Sequence, residues 1–184
     1  MMAFVTSNTG KFQEVREMLK ADGVDLEWVK RAYPEIQADT LEEVVRHAGK
    51  EIRKELKRPF MIDDSGLFVP ELRGFPGAYS SYVYRTLGCK GILDLLRGSR
   101  LRLATFECRL FLHDGKNDHL FTGSCPGEIA EEERGAGGFG FDSVFIPEGD
   151  DRTFAEMSPK DKNEVSHRGR AAQQVIRFLK SQKS

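Results

Sequence analysis

The segment Ala3-Phe4-Val5-Thr6-Ser7-Asn8-Thr9-Gly10-Lys11 passes from an apolar run into small polar turn residues, and beyond it Phe12, Val15 and Leu19 recur at helical spacing. That order predicts a strand, a tight loop and a helix, the unit from which α/β proteins are built. A second strand is expected over about 26–30. Thr40 with Glu43 then reads as a capping box opening a helix, whose apolar stripe is Leu41, Val44, Val45, Ala48, Ile52 and Leu56. Phe60-Met61-Ile62 predicts a short buried strand ending in Asp63-Asp64-Ser65-Gly66, with a turn at Gly74-Phe75-Pro76-Gly77.

Helices are expected over 80–87 and 92–96. A long hairpin follows, with arms over 101–112 and 119–129 around the turn Asp114-Gly115-Lys116-Asn117-Asp118. The reading continues with a last long strand over 141–146, a helix start at Ser158-Pro159, and a closing helix with Ala171, Val175 and Leu179 on one face. No repeat, low-complexity segment or linker interrupts the chain. Residues 1–184 therefore read as one α/β domain with a mixed sheet.

Composition narrows the function classes. Hydrophobic residues are 39% and charged residues 31% of the 184, which excludes a disordered chain. Lys and Arg number 28 against 29 Asp and Glu, so there is no global basic field for a nucleic-acid backbone or an anionic membrane. Cys89, Cys108 and Cys125 fit neither a disulfide framework nor a zinc knuckle, which points to a reduced, cytoplasmic setting. No apolar run approaches the roughly 18 residues of a membrane span, and the first residues lack a signal pattern.

Four motifs could carry chemistry. Thr6 to Lys11 offers amides, hydroxyls and an ammonium to a phosphate, although it also reads as a plain βα turn with Asn8 satisfying local amides. It is not a Walker A loop, which requires Gly at Val5 and Ser or Thr at Phe12. Asp63-Asp64-Ser65-Gly66 places adjacent acids after apolar residues, at a cost that a cation such as magnesium relieves. Strand alternation sends only one of the pair toward a cleft. A solvated turn is the other reading.

Gly135-Ala136-Gly137-Gly138-Phe139-Gly140 satisfies G-x-G-x-x-G, but a charged run precedes it and a strand follows, so the dinucleotide reading fails. A glycine-hinged loop presenting Phe139, Phe141 and Asp142 fits better, the two rings being either base-stacking or core. Lys162-Asn163-Glu164-Val165-Ser166-His167-Arg168 could bind acceptor atoms of a ligand, or be surface charge with Ser166 as a helix cap.

In this order and spacing these motifs resemble the inosine triphosphate pyrophosphatase, or Ham1, family over nearly the whole chain. The pieces include Thr6-Ser7-Asn8 with Lys11, Pro34-Glu35 with Gln37, Asp63-Asp64-Ser65-Gly66-Leu67 and Gly74-Phe75-Pro76-Gly77. Further along stand Phe139-Gly140-Phe141-Asp142, Ala155-Glu156-Met157, and Lys162 with Ser166-His167-Arg168. The resemblance implies an elongated central mixed sheet with flanking helices and two lobes around an active-site cleft. It implies hydrolysis of ITP, dITP and XTP to the monophosphate and pyrophosphate, in a homodimer.

Residue by residue, it implies that Thr6, Ser7, Asn8, Thr9, Gly10, Lys11 and Lys50 hold phosphates, and that Glu35 and Asp64 hold magnesium. Asp64 would also be the general base, with Ser65 beside the nucleotide. Phe139, Gly140, Phe141, Asp142, Lys162, His167 and Arg168 would hold and read the base. Two alternatives stand beside it. One is a Maf-like nucleotide pyrophosphatase acting on other bases, against which Phe139-Gly140-Phe141-Asp142 and Ser166-His167-Arg168 argue. The other is a non-catalytic nucleotide- or RNA-binding module, which has no need of the Glu35, Asp64 and Lys11 set.

Overall fold

The computed structural model describes residues 1–182. Strand β1 (Met2–Val5), helix α1 (Thr9–Ala21), strand β2 (Leu26–Val29) and helix α2 (Leu41–Glu55) form the first part of the chain. Asn8 caps α1, its side-chain oxygen accepting from the Lys11 amide at 3.1 Å. Thr40 and Glu43 form the expected capping box: the Glu43 amide donates to Thr40 Oγ1 at 3.2 Å, and the Thr40 amide to Glu43 Oε2 at 3.3 Å.

Strand β3 (Phe60–Phe68), the two-residue strand β4 (Pro76–Gly77) and helix α3 (Ser80–Leu95) follow, then the hairpin strands β5 (Leu103–His113) and β6 (Asp118–Ile129). Short strand β7 (Phe145–Pro147), helix α4 (Pro159–Val165) and helix α5 (His167–Ser181) complete the chain, the last two capped by Ser158 and Ser166. The sheet order is β2-β1-β3-β5-β6-β7, with β4 on the edge of β3. The β1 pairings are parallel and those from β3 to β7 antiparallel, so the sheet is mixed.

Three apolar cores sit against it. Alternation along β1 and β3 sends Phe4 and Met61 toward α1 and α5, and Ala3, Val5, Phe60 and Ile62 toward α2. The third core lies at the other end of the long strands, where Leu67, Phe106 and Cys125 pack with Val83 and Ile92 of α3 and with Phe145 and Phe154. The molecule thus has two lobes that share strands β3, β5 and β6.

Two local expectations are corrected. The acids Asp63 and Asp64 lie inside β3 rather than at its end. All nine residues of that strand pair with β5, from Phe60 opposite His113 to Phe68 opposite Thr105, so tertiary pairing overrides the turn-like composition. Residues 141–146 are not one strand. Gly140 is left-handed, at φ 63°, and Asp142 Oδ2 accepts from the Phe139 amide at 2.7 Å. This winds Gly140–Ser143 into a 3₁₀ turn before β7 begins. The two helices expected over 80–87 and 92–96 both lie within Ser80–Leu95, divided at Gly88, whose φ of 64° is not helical.

Candidate active site

The cleft exists because β1 is shorter than its neighbour. Pairing of β1 with β3 covers only Ala3 with Phe60 and Phe4 with Met61, after which β1 gives way to the turn into α1 while β3 runs on to Phe68. The gap past the end of β1 is a cavity of about 510 Å³. Its lining brings together Thr6, Ser7, Asn8 and Lys11, then Glu35, Asp64 and Ser65, and Phe139 to Asp142 with His167 and Arg168.

Strand alternation separates the two acids as expected. Asp63 is fully buried, and its Oδ2 accepts from Arg168 Nε at 3.0 Å and lies 3.4 Å from Lys11 Nζ. Burial pushes its pKa up, but Lys11 and Arg168 outweigh this and hold it below the usual range. Asp64 faces the cavity. Burial, with Glu35 and Asp63 adding like charge, pushes its carboxyl up to about 7 against the pull of Lys11 and the Ser65 amide. A further positive charge beside it would favour the ionised state expected of a base. Among the described residues no three His, Cys, Asp or Glu side chains gather as a metal cage. A cavity carboxylate beside a second one is the donor set that magnesium takes together with substrate phosphates.

Arg168 is fixed by three acceptors: Asp63, Glu14 Oε2 at 2.6 Å from Nη1, and Ser65 Oγ at 3.0 Å from Nη2. That uses three of its five N–H donors. His167 stacks on Phe106 with ring centroids 4.7 Å apart and 10° between planes, and its buried Nδ1 has no partner among the described residues. Burial, then Arg168 and Lys162, drives its pKa well below the ordinary value. The imidazole is neutral and offers one donor and one acceptor.

Other expected residues are placed differently. Lys162 is not on the cavity wall but behind it, its ammonium donating to Glu14 Oε1 and Asp142 Oδ2, both at 2.6 Å. Phe139 is half-buried, with Lys162 Nζ 4.8 Å and Arg168 Cζ 5.5 Å from its centroid. Phe141 is 3% exposed and meets Tyr84 edge-on in the distal core, so Phe139 is the more open ring. Thr9 and Gly10 lie in the first turn of α1, outside the cavity lining, and the Phe139 ring occupies the space a Cβ on Gly10 would need. Lys50 lies outside the cleft, in a separate depression with Arg46, His47 and Tyr79.

Sequence reasoning missed Glu14, Tyr33, Phe106 and Arg85. Glu14 is the acid that joins both inner cations; burial raises its pKa, but Arg168 and Lys162 bring it below the usual range. Its one sequence signal is its place beside Phe12 and Val15 on the buried side of α1.

A profile of the Ham1 family matches residues 2–178. The chain belongs to the Ham1 family. It is 54% identical to a dITP/XTP pyrophosphatase of Thermococcus kodakarensis over 97% of each chain, and 48% identical to one of Pyrococcus horikoshii over 96% of this chain and 95% of that one. Among solved structures, a HAM1 protein from Coxiella burnetii superposes with a TM-score of 0.83 at 29% identity, covering 98% of this chain and all of the other. The Ham1 protein of Staphylococcus aureus gives 0.82 at 26% identity, over 98% and 99%. The superpositions span nearly the whole of each chain, so the overall fold described above is the one these Ham1 structures share.

Proposed function

We propose that this Ham1 protein hydrolyses non-canonical purine nucleoside triphosphates (ITP, dITP and XTP) between the α- and β-phosphates, releasing the monophosphate and pyrophosphate. One observation carries the reading. A single cavity is lined by a phosphate-type helix start, a carboxylate whose pKa is raised, and an arginine and a histidine whose pKa is lowered. The names of the relatives from Thermococcus and Pyrococcus support the same substrate class.

In this reading the turn at Thr6 to Asn8 and the Lys11 ammonium receive phosphate oxygens. Glu35 and Asp64 hold magnesium, which when bound neutralises charge on the phosphates. Asp64 accepts the proton of the attacking water. Phe139 stacks on the base, and the remaining N–H groups of Arg168 meet the C6 oxygen of hypoxanthine or xanthine. Adenine presents an amino donor there and is left facing a donor. Asp142 and Lys162 act from behind by fixing Phe139 and, through Glu14, Arg168.

We further propose a homodimer in a reducing, cytoplasmic setting. Tyr79, just before α3, and Tyr82 and Leu87 within it are exposed at 42%, 61% and 52%, apolar groups that a partner would cover, and the three cysteines are free. No described helix is long and apolar enough to cross a membrane. The deciding experiment is pyrophosphate release from ITP, XTP, dITP, GTP, ATP, dTTP and UTP, with and without magnesium. Turnover of ITP, dITP and XTP that vanishes without metal and in Asp64→Asn is the expected outcome. Equal turnover of ATP overturns the base-reading role of Arg168, and turnover of dTTP or UTP alone makes the enzyme Maf-like.

A further inference from the structure

The open edge of β3 creates a bonding problem that Tyr33 solves. The Pro59 carbonyl accepts from the Ala3 amide at 3.1 Å, so alternate carbonyls along this strand, those of Met61 and Asp63, also point toward β1. β1 ends at Val5, before it can reach Asp63. The Asp63 carbonyl is satisfied by two side chains instead: Tyr33 Oη donates at 2.6 Å and Lys11 Nζ at 3.2 Å. Tyr33 comes from the segment between β2 and α2, its ring packed on the core that holds Val5, Ile62 and Phe111.

Lys11 is thus tied to the residue next to Asp64, through both the carbonyl and the carboxylate of Asp63, while its side chain stays 17% exposed. The ammonium has three N–H donors and directs two at Asp63, so to give phosphate oxygens more than one of them it has to leave one or both atoms. The carboxylate oxygen keeps Arg168 Nε at 3.0 Å and Ser65 Oγ at 3.2 Å. The carbonyl keeps only Tyr33.

We propose that Tyr33 is a positioning residue that frees Lys11 for the substrate: its hydroxyl holds the Asp63 carbonyl when the ammonium turns to a phosphate, so that the ammonium is released without leaving a buried acceptor bare. This rests on the reading of Lys11 as a phosphate ligand. In Tyr33→Phe the ring and its packing stay, but release of Lys11 strands the carbonyl, and the ammonium is held back. The effect falls on binding of the phosphates and leaves the chemical step alone.

The test is a double-mutant cycle with inorganic pyrophosphate as inhibitor of ITP hydrolysis, in wild type, Tyr33→Phe, Lys11→Met and the double variant. Tyr33→Phe is expected to raise the inhibition constant and the KM for ITP by roughly 5- to 50-fold with kcat changed less than about twofold. In the Lys11→Met background the same change is expected to have no further effect. An unchanged inhibition constant, a loss confined to kcat, or an equal loss in both backgrounds overturns the role of Tyr33. If Lys11→Met itself leaves pyrophosphate inhibition intact, it is the phosphate role of Lys11 that fails, and the inference falls with it.

Discussion

Asp64 is held where its charge is costly, and two opposite consequences follow. A base must be ionised, so at limiting magnesium activity should rise with pH through a limb near 7, and saturating magnesium should move that limb down. Asp64→Asn should lower kcat by about 10²–10⁴. The folded pKa lies above the unfolded one, so the carboxyl's contribution to stability is complete below the unfolded value and is lost as pH rises through about 7. In metal-free buffer at pH 8, Asp64→Asn should therefore gain stability, by at most about 4 kcal/mol, with a smaller gain at pH 5; urea midpoints at the two values measure it. Glu14 makes the complementary case. Glu14→Gln leaves Lys162 and Arg168 short of an anion and should cost about 3–5 kcal/mol, with ATP gaining on ITP as Arg168 loses its anchor. The Asp63-Asp64 pair was legible because adjacent acids after an apolar run demand a reason. Glu14 was not, because it looks like any helix acid until its partners arrive 148 and 154 residues later in the chain.

At the scale of elements, close approach sets the tolerances. A Cβ on Gly123 of β6 would fall on the carbonyl of His167, whereas one on Gly10 would meet the Phe139 ring. Backbone cannot yield and a side chain in a loop can. Gly123→Ala should thus cost about 1–3 kcal/mol or more by urea unfolding, while Gly10→Ala should cost less stability and instead weaken nucleotide binding by displacing Phe139. The β5–β6 hairpin could be read directly, since its turn residues and apolar arms agree. The extent of β3 and the turn at Gly140–Ser143 could not. The first is decided by nine cross-strand pairs, and the second by a single carboxylate closing on an amide three residues earlier. Lys50 shows the same limit from the other side, since helix α2 was read correctly while the direction of its exposed face relative to the cleft was not.

Across the whole molecule, the cleft divides the surface but not the scaffold. Strand β3 supplies Met61 to one core and Leu67 to the other, and β5 supplies Leu110 and Phe106 in the same way. No linker separates the lobes, so neither can come apart without dissolving the ladder that the other needs. The lobes should therefore melt together, in one calorimetric transition whose measured and van't Hoff enthalpies agree. Deuterium should enter the central amides of β3 and β5 slowest, and at the same rate on both sides of the cleft. Phe145→Ala, placed entirely in the distal core, should then hasten exchange at Phe4 and Met61 as much as at Leu67, because the protein has two lobes and one cooperative unit.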